Sequence, residues 1–314
     1  MGGHGEVLVH EHQIRSGAAV TDSTDAVVDA HHHVWDLAAH EQPWLALPGN
    51  ERLLRNFSEA ELRPQAAAAG VTASVVVQTV TEQSETTELL ALASSDGLVA
   101  GVVGWVDLQA PGVPGALAEL KAGPHGGFLC GIRHPVLVEE DPDWLERPAV
   151  LDGLAAVAAA GLCYDLVVQP HQLAAALTAA TAVPGLTFVL DHLGNPEIKP
   201  DIDETWARAM GRLAALPNTV CKLSGVLSEP PPEGERPQRG TVVAHLVPYY
   251  EALLGAFGPE RLMFGSDWPP CTLSATYATV VAAARELTAT LGPAEREAVL
   301  SGTAQRVYQL KTAG

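Results

Sequence analysis

Eight short runs of apolar and β-branched residues recur along the chain, with Ala-rich stretches between them. Most of these runs are almost continuously hydrophobic, which is typical of parallel strands covered on both faces and not of half-exposed antiparallel strands. The sequence therefore predicts eight buried strands, at 26–31, 73–79, 99–106, 128–133, 162–169, 186–191, 219–223 and 261–265.

The stretches between the runs have helical composition, and several end at Gly or precede Pro, as helix ends do. Strand and helix alternate throughout, which predicts a single-domain (β/α)8 TIM barrel over residues 26–314, after a polar leader at 1–25. A doubly wound open sheet is the alternative, but no Gly-rich phosphate loop follows the first strand. Helices are predicted at 58–69, 82–94, 149–159, 172–182, 203–216, 242–257 and 275–291, with closing helices at 293–300 and 303–310.

Composition limits the partners that we expect. The 314 residues are 47% hydrophobic and carry a net charge of −19, so a large core is expected and nucleic acid and anionic membranes are disfavoured. No apolar run reaches the roughly 20 residues of a membrane span, and the leader lacks the pattern of a signal peptide. Together with four cysteines that show no CxxC spacing, this predicts a reduced, cytoplasmic protein; a homo-oligomer is compatible with the sequence.

Two predicted loops are unusually long, and both follow strands, which places them at the C-terminal face where barrels bind substrates. The first, 36–56, contains His40, which we expect to be solvated. The second, 228–240, is rich in Pro and charge, and both a lid and a solvated linker remain open for it.

The first strand ends in three histidines. Because side chains alternate along a strand, His31 and His33 are predicted to share one side and His32 to face the other. Two imidazoles on one face can bind a metal or donate hydrogen bonds to a carbonyl oxygen. A chance histidine run on a surface loop is the alternative, and the preceding strand and following Trp35 argue against it.

Two later strands also end in residues suited to catalysis. His192 follows the sixth strand in DHLGNP, and Asp267 follows the eighth in GSDWP. The alternatives are a capping role for His192 and an ordinary turn role for Asp267. Other polar residues near strand ends are weaker candidates, and each could contact substrate or form an ion pair or hydrogen bond at the barrel mouth. They are Arg133, Gln169, His171, Lys222 and Ser224.

His31 and His33 in DAHHHVWD, together with His192 and Asp267, resemble the amidohydrolase superfamily. The resemblance is to its lactonase branch, which includes L-fuconolactonase, L-rhamnonolactonase and 2-pyrone-4,6-dicarboxylate lactonase. It covers residues 27–310, including the closing SGTAQRVY, and the opening and GSDWP motifs are fairly specific together.

The resemblance implies hydrolysis of a lactone of a sugar acid or small organic acid, and so a role in carbohydrate metabolism. Asp267 would act as the general base, while His31, His33 and His192 would polarise the carbonyl directly or through a divalent ion. Substrate contacts would come from Arg133, Trp35, Gln169 and Lys222.

The resemblance leaves the metal content open. The fourth and fifth strands end in Arg133-His134 and Gln169-Pro170, which lack the carboxylated lysine or glutamate that bridges two metals elsewhere in the superfamily. One divalent ion such as zinc on the three histidines and Asp267, or a metal-independent site, both fit. A metal-dependent decarboxylase or hydratase and a non-catalytic ligand-binding barrel are the alternative functions.

Overall fold

The computed structural model describes residues 26–95, 97–199, 201–225 and 239–310; the predicted leader lies outside them. Within these residues, eight parallel strands pair in chain order, and β8 also contacts β1, so that the sheet forms a nearly closed barrel. This confirms the predicted (β/α)8 barrel. The strands are Val27–His32 (β1), Val71–Val77 (β2), Val99–Gly104 (β3), Leu129–His134 (β4), Cys163–Leu166 (β5), Phe188–Leu190 (β6), Thr219–Leu223 (β7) and Leu262–Phe264 (β8).

Helices follow the strands. The main ones are Glu59–Ala68 (α1), Gln83–Ser95 (α2), Val113–Ala122 (α3), Pro148–Ala159 (α4), Leu173–Ala182 (α5), Glu204–Ala214 (α6), Arg239–Phe257 (α7) and Tyr277–Leu287 (α8). After α8 the chain closes with Pro293–Glu297 (α9), a π-helical turn at Ala298–Gly302 and Thr303–Val307 (α10).

Helix α3 has no counterpart among the predicted helices. The segment begins APGVPG, and its cluster of Pro and Gly is typical of a loop. Pro114, however, lies in the first turn of α3, where the missing N–H of proline costs no helical hydrogen bond. The predicted strand 162–169 was longer than β5. Val167 and Val168 are apolar and buried, but they lie beyond the end of that strand.

The barrel interior is filled mainly by small and branched side chains such as Val28, Ala30, Val75 and Val220. At the N-terminal end of the strands, the closing segment enters this interior cluster with Ala304, Val307 and Tyr308. The chain end thereby closes the bottom of the barrel, and the polar residues described below lie above this apolar layer.

All four cysteines are buried and unpaired, as the absence of CxxC spacing predicted. In the described part of the chain, no helix combines the length and apolar character that a membrane span requires.

Candidate active site

A β-bulge in β1 directs two histidines into the barrel mouth. From Asp29 to His32, β1 uses three residues where its partner β2 uses two. The extra residue shifts the alternation of the side chains that follow it. His31 and His33 therefore lie side by side, with 3.1 Å between their Nε2 atoms, and His32 bonds Ser74 instead. The predicted arrangement of the three histidines is confirmed.

Asp267 reaches these histidines because the ends of β8 and β1 are hydrogen-bonded. The Asp267 amide donates to the His31 carbonyl at 2.8 Å, and the His33 amide donates to the Trp268 carbonyl at 2.7 Å. Asp267 has a φ of 55°, a left-handed conformation that few residues other than glycine adopt. Its Oδ1 lies 3.7 Å from His31 Nε2 and 3.5 Å from His33 Nε2.

His192 is the fourth member of the site and lies just beyond β6. Its ring centroid is 4.6 Å from that of His31, and its Nδ1 is 2.9 Å from Ser224 Oγ. Its backbone is also left-handed, with a φ of 54°. Both His192 and Asp267 thus hold uncommon backbone conformations, which are concentrated at functional sites in proteins.

Two glycines make room for these histidines. A Cβ at Gly265 would lie 2.7 Å from the Cβ of His31, because β8 approaches the bulged strand closely. A Cβ at Gly225, where φ is +71°, would lie 2.3 Å from the ring of His192. Glycine is therefore required at both positions for the histidines to stand where they do.

The hydrogen bond of His33 determines which of its nitrogens faces the site. His33 Nδ1 lies 2.7 Å from the Val77 carbonyl oxygen, which can only accept, so Nδ1 carries a proton. In the neutral ring, Nε2 then presents a lone pair toward His31 and Asp267. A lone pair binds a cation, whereas it cannot donate to a substrate carbonyl.

Burial and nearby charges set the protonation of the other members. Burial alone would raise the pKa of Asp267, but the neighbouring imidazoles of His192 and His33 stabilise its ionised form and lower that pKa below its usual value. Burial lowers the pKa of His31 well below its usual value despite the opposing charge of Asp191, and burial also lowers that of His192. At neutral pH Asp267 is therefore a carboxylate, and His31 and His192 are neutral imidazoles, which are the forms that bind metals.

The geometry of these atoms fits one divalent ion. His31, His192 and Asp267 each offer a ligand atom within 4.8 Å of the others. The three separations among His31 Nε2, His33 Nε2 and Asp267 Oδ1 are 3.1, 3.5 and 3.7 Å. Ligands bound to zinc at about 2.0–2.2 Å in a tetrahedron stand roughly 3.3–3.6 Å apart, so the observed separations are close to those of such a site.

A second polar group, here called the sealed cluster, lies beneath His31 and consists of Asp165, Asp191 and Lys222. All three residues are fully buried. Lys222 Nζ lies 2.6 Å from Asp165 Oδ2, 3.0 Å from Asp191 Oδ1 and 3.1 Å from His31 Nδ1. Burial would lower the pKa of Lys222, but the charges of Asp165 and Asp191 raise it, so the side chain is an ammonium. The sequence predicted a substrate contact for Lys222, whereas the structure directs its ammonium to protein groups.

Arg133 joins the sealed cluster to the mouth. Its guanidinium donates to Gln78 Oε1 at 2.9 Å and to Asp191 Oδ2 at 3.1 Å, and Nη1 lies 3.4 Å from His31 Nε2. The side chain is 6% exposed. Most of its donors therefore serve the protein, and only the edge near His31 borders the site.

The other two predicted substrate contacts are Trp35 and Gln169. Trp35 is buried, donates from its indole N–H to the Arg55 carbonyl and packs against Trp44 and Phe57. Gln169 is half-buried and precedes the short turn Pro170–Gln172 after β5. The predicted long loop 228–240 lies outside the described residues up to position 238.

The prediction that His40 is solvated was wrong. Its side chain is 8% exposed, and its two ring nitrogens each lie 3.0 Å from a carboxylate oxygen, of Glu82 and of Glu88. The first long loop folds back onto α2, which the sequence pattern of the loop does not reveal.

Sequence reasoning assigned no role to the two acids of the sealed cluster. Asp165 stands inside the apolar run of β5, and Lys222 stands inside that of β7. Opposite charges within two otherwise apolar strands of one barrel were the available signal, because buried charges occur in pairs. Asp191 stands directly before His192 in DHLGNP, and the pattern of strand-end histidines predicts no role for it.

Comparison with known proteins gave matches that cover most of this chain. The family model described as Amidohydrolase matches residues 28–310. An L-fucono-1,5-lactonase of Burkholderia multivorans is 38% identical over 290 residues, covering 90% of this chain and 96% of the relative. An L-fucono-1,5-lactonase of Burkholderia ambifaria is 35% identical over 289 residues, covering 90% and 95%.

Among solved structures, an amidohydrolase from Burkholderia multivorans with bound zinc superposes with a TM-score of 0.82 at 36% sequence identity. The match covers 91% of this chain and all of that one.

Proposed function

We propose that this chain, which belongs to the amidohydrolase family, hydrolyses the ring ester of a sugar-acid lactone. The observation that carries the proposal is the placement of an ionised carboxylate, Asp267, 3.5 Å from His33 and 3.7 Å from His31 at the barrel mouth. The two Burkholderia relatives named as lactonases support it and make L-fucono-1,5-lactone the first substrate to test.

In the proposed reaction, Asp267 orients a water molecule and accepts one of its protons as the water oxygen adds to the lactone carbonyl carbon. The carbonyl oxygen gains negative charge, and His31 and His192 border the position where that charge develops. The ring C–O bond then breaks, and the proton held by Asp267 passes to the departing ring oxygen. One lactone and one water give one hydroxy acid.

His31, His33, His192 and Asp267 would also hold a divalent ion, and such an ion supplies Lewis-acid polarisation of the carbonyl when bound. The Nε2 lone pair of His33 favours this assignment. Arg133 and Trp35 are proposed to contact the hydroxyl groups of the substrate. Burial of Trp35 and the protein partners of Arg133 limit those contacts to the edges of the two side chains.

The test is a lactone panel that includes L-fucono-1,5-lactone, assayed by the acid released, on full-length protein whose metal content is measured in the same preparation. The expected result is acid release that depends on the enzyme and exceeds the spontaneous rate. Carbon dioxide release from a carboxylic acid substrate, without lactone hydrolysis, would instead identify a decarboxylase. Ligand binding without turnover across the panel would identify a non-catalytic barrel.

A further inference from the structure

His31 belongs to two groups of potential metal ligands, one on each side of its ring. The upper group adds His192 and Asp267, and the lower group adds Asp165 and Asp191, with all ligand atoms of each group within 4.8 Å of one another. The upper group faces the barrel mouth. The lower group is fully buried and is part of the sealed cluster.

The lower group already surrounds a cation. Lys222 Nζ lies 2.6, 3.0 and 3.1 Å from one atom of each of its three members. These three atoms surround the ammonium in the way that ligand atoms surround a metal ion. Asp191 Oδ1 lies 3.0 Å from this ammonium, so the charge of Lys222 compensates that of the Asp191 carboxylate.

The remaining oxygens of the two acids are also matched. Tyr308 OH donates to Asp165 from below, at 2.8 Å from Oδ2 and 2.9 Å from Oδ1. Arg133 donates to Asp191 Oδ2. Without Lys222, the guanidinium of Arg133 would be the one cation that the described residues supply to the two buried carboxylates, and it contacts Asp191. Burial of an uncompensated charge is strongly unfavourable.

We infer that Lys222 fills, as a fixed part of the chain, a second cation position beneath the mouth, and thereby limits the centre to one exchangeable ion. The alternative is an ordinary buried ion pair whose removal leaves no cation position. The inference concerns the cation content of the barrel and does not depend on the proposed reaction.

Lys222→Ala tests the inference because it removes the ammonium and leaves space, whereas Lys222→Met removes the charge and keeps the space filled. After equilibration with Mn²⁺, whose preferred ligands are carboxylates, we expect Lys222→Ala to bind one manganese per chain more than the wild type. Lys222→Met is expected to gain none. Equal manganese content in wild type and Lys222→Ala would overturn the inference.

A second measurement covers a variant that folds poorly. n-Propylammonium has the atoms that Lys222→Ala removes, and we expect it, or Mn²⁺, to raise the Tm and the refolding yield of Lys222→Ala but not of Lys222→Met. A Tm and refolding yield of Lys222→Ala that respond to neither cation would overturn the inference. Adding Asp165→Asn to Lys222→Ala removes one ligand, and this double variant is expected to lose the extra manganese.

Discussion

The two sides of His31 use charged residues in opposite ways. On the mouth side, ring nitrogens of His31 and His33 and an oxygen of Asp267 converge at separations suited to an added cation. On the sealed side, Lys222 and Arg133 supply the cations from within the chain. The charged groups of the sealed side are thus compensated within the chain, whereas those of the mouth are arranged so that an added group can contact them.

The largest expected effect in a test of this contrast is a loss of activity on substitution of Asp267 at the mouth. Asp267→Asn keeps the shape of the side chain but removes the proton acceptor, and general-base catalysis contributes about 10²–10⁴-fold. We expect kcat for lactone hydrolysis to fall by at least about 10²-fold, with little change in Tm. The matched control is Asp152→Asn, an exposed position on α4. A kcat for Asp267→Asn equal to that of the control would remove Asp267 from the reaction.

On the sealed side, the expected effect is on stability. Lys222→Met removes the cation that pairs with Asp165 and leaves Arg133 as the cation beside Asp191, and breaking a buried ion pair costs about 3–5 kcal/mol. We expect urea unfolding to show a loss of that size in the free energy of unfolding. Combining it with Asp165→Asn removes one charge of each sign and is expected to restore most of the loss. If the single and double variants are equally unstable, packing and not charge accounts for the role of Lys222.

Asp191 connects the two sides, because its Oδ1 lies 3.4 Å from His31 Nδ1. A carboxylate that orients a ligating histidine typically contributes 10–100-fold to metal affinity. Asp191→Asn is therefore expected to weaken binding of a divalent ion at the mouth by about 10–100-fold, measured by competition with a chelator. Unchanged affinity would show that the sealed side does not orient His31.

The smallest expected effect comes from His40, a buried imidazole between exposed carboxylates. Burial would lower its pKa, but the hydrogen bonds to Glu88 and Glu82 outweigh burial and raise it above 6.5. A raised pKa in the folded state gives stability that is present below pH 6.5 and lost as the pH rises through the raised value.

His40→Gln is therefore expected to cost less than about 1 kcal/mol below pH 6.5 at low salt, because exposed partners are screened by solvent. The cost should shrink as either pH or salt increases. A cost that is independent of both, measured by unfolding across pH, would mean that packing and not charge holds the loop.

Much of the fold follows from the sequence because strands buried on both faces leave continuous apolar runs. For this reason the predicted strand at 219–223 has the same bounds as β7. The residues of the mouth were equally predictable from the sequence, since His192 and Asp267 directly follow such apolar runs. Helix α3 was not predicted because proline is common both in loops and in the first turn of a helix, and Pro114 lies in such a first turn.

Depth within the barrel was harder to predict than position along it. Lys222 and Ser224 share a strand face by alternation, yet Ser224 contacts His192 at the mouth while Lys222 lies beneath His31. The sequence identifies which side of a strand a residue occupies, but the bulge in β1 and the tilt of the strands determine its level. Asp165 lies within β5 and not beyond its end, so a search for polar residues at strand ends does not identify it.

The hydrogen bonds of Asp165 have a consequence for the order in which the protein matures. Its partners Lys222 and Tyr308 come 57 and 143 positions later in the chain. During synthesis, β5 therefore emerges carrying a charge whose partners do not yet exist, and the last of them arrives just after α10. A nascent chain halted before Tyr308 has all four mouth residues but lacks the hydroxyl group that donates to Asp165 beneath them.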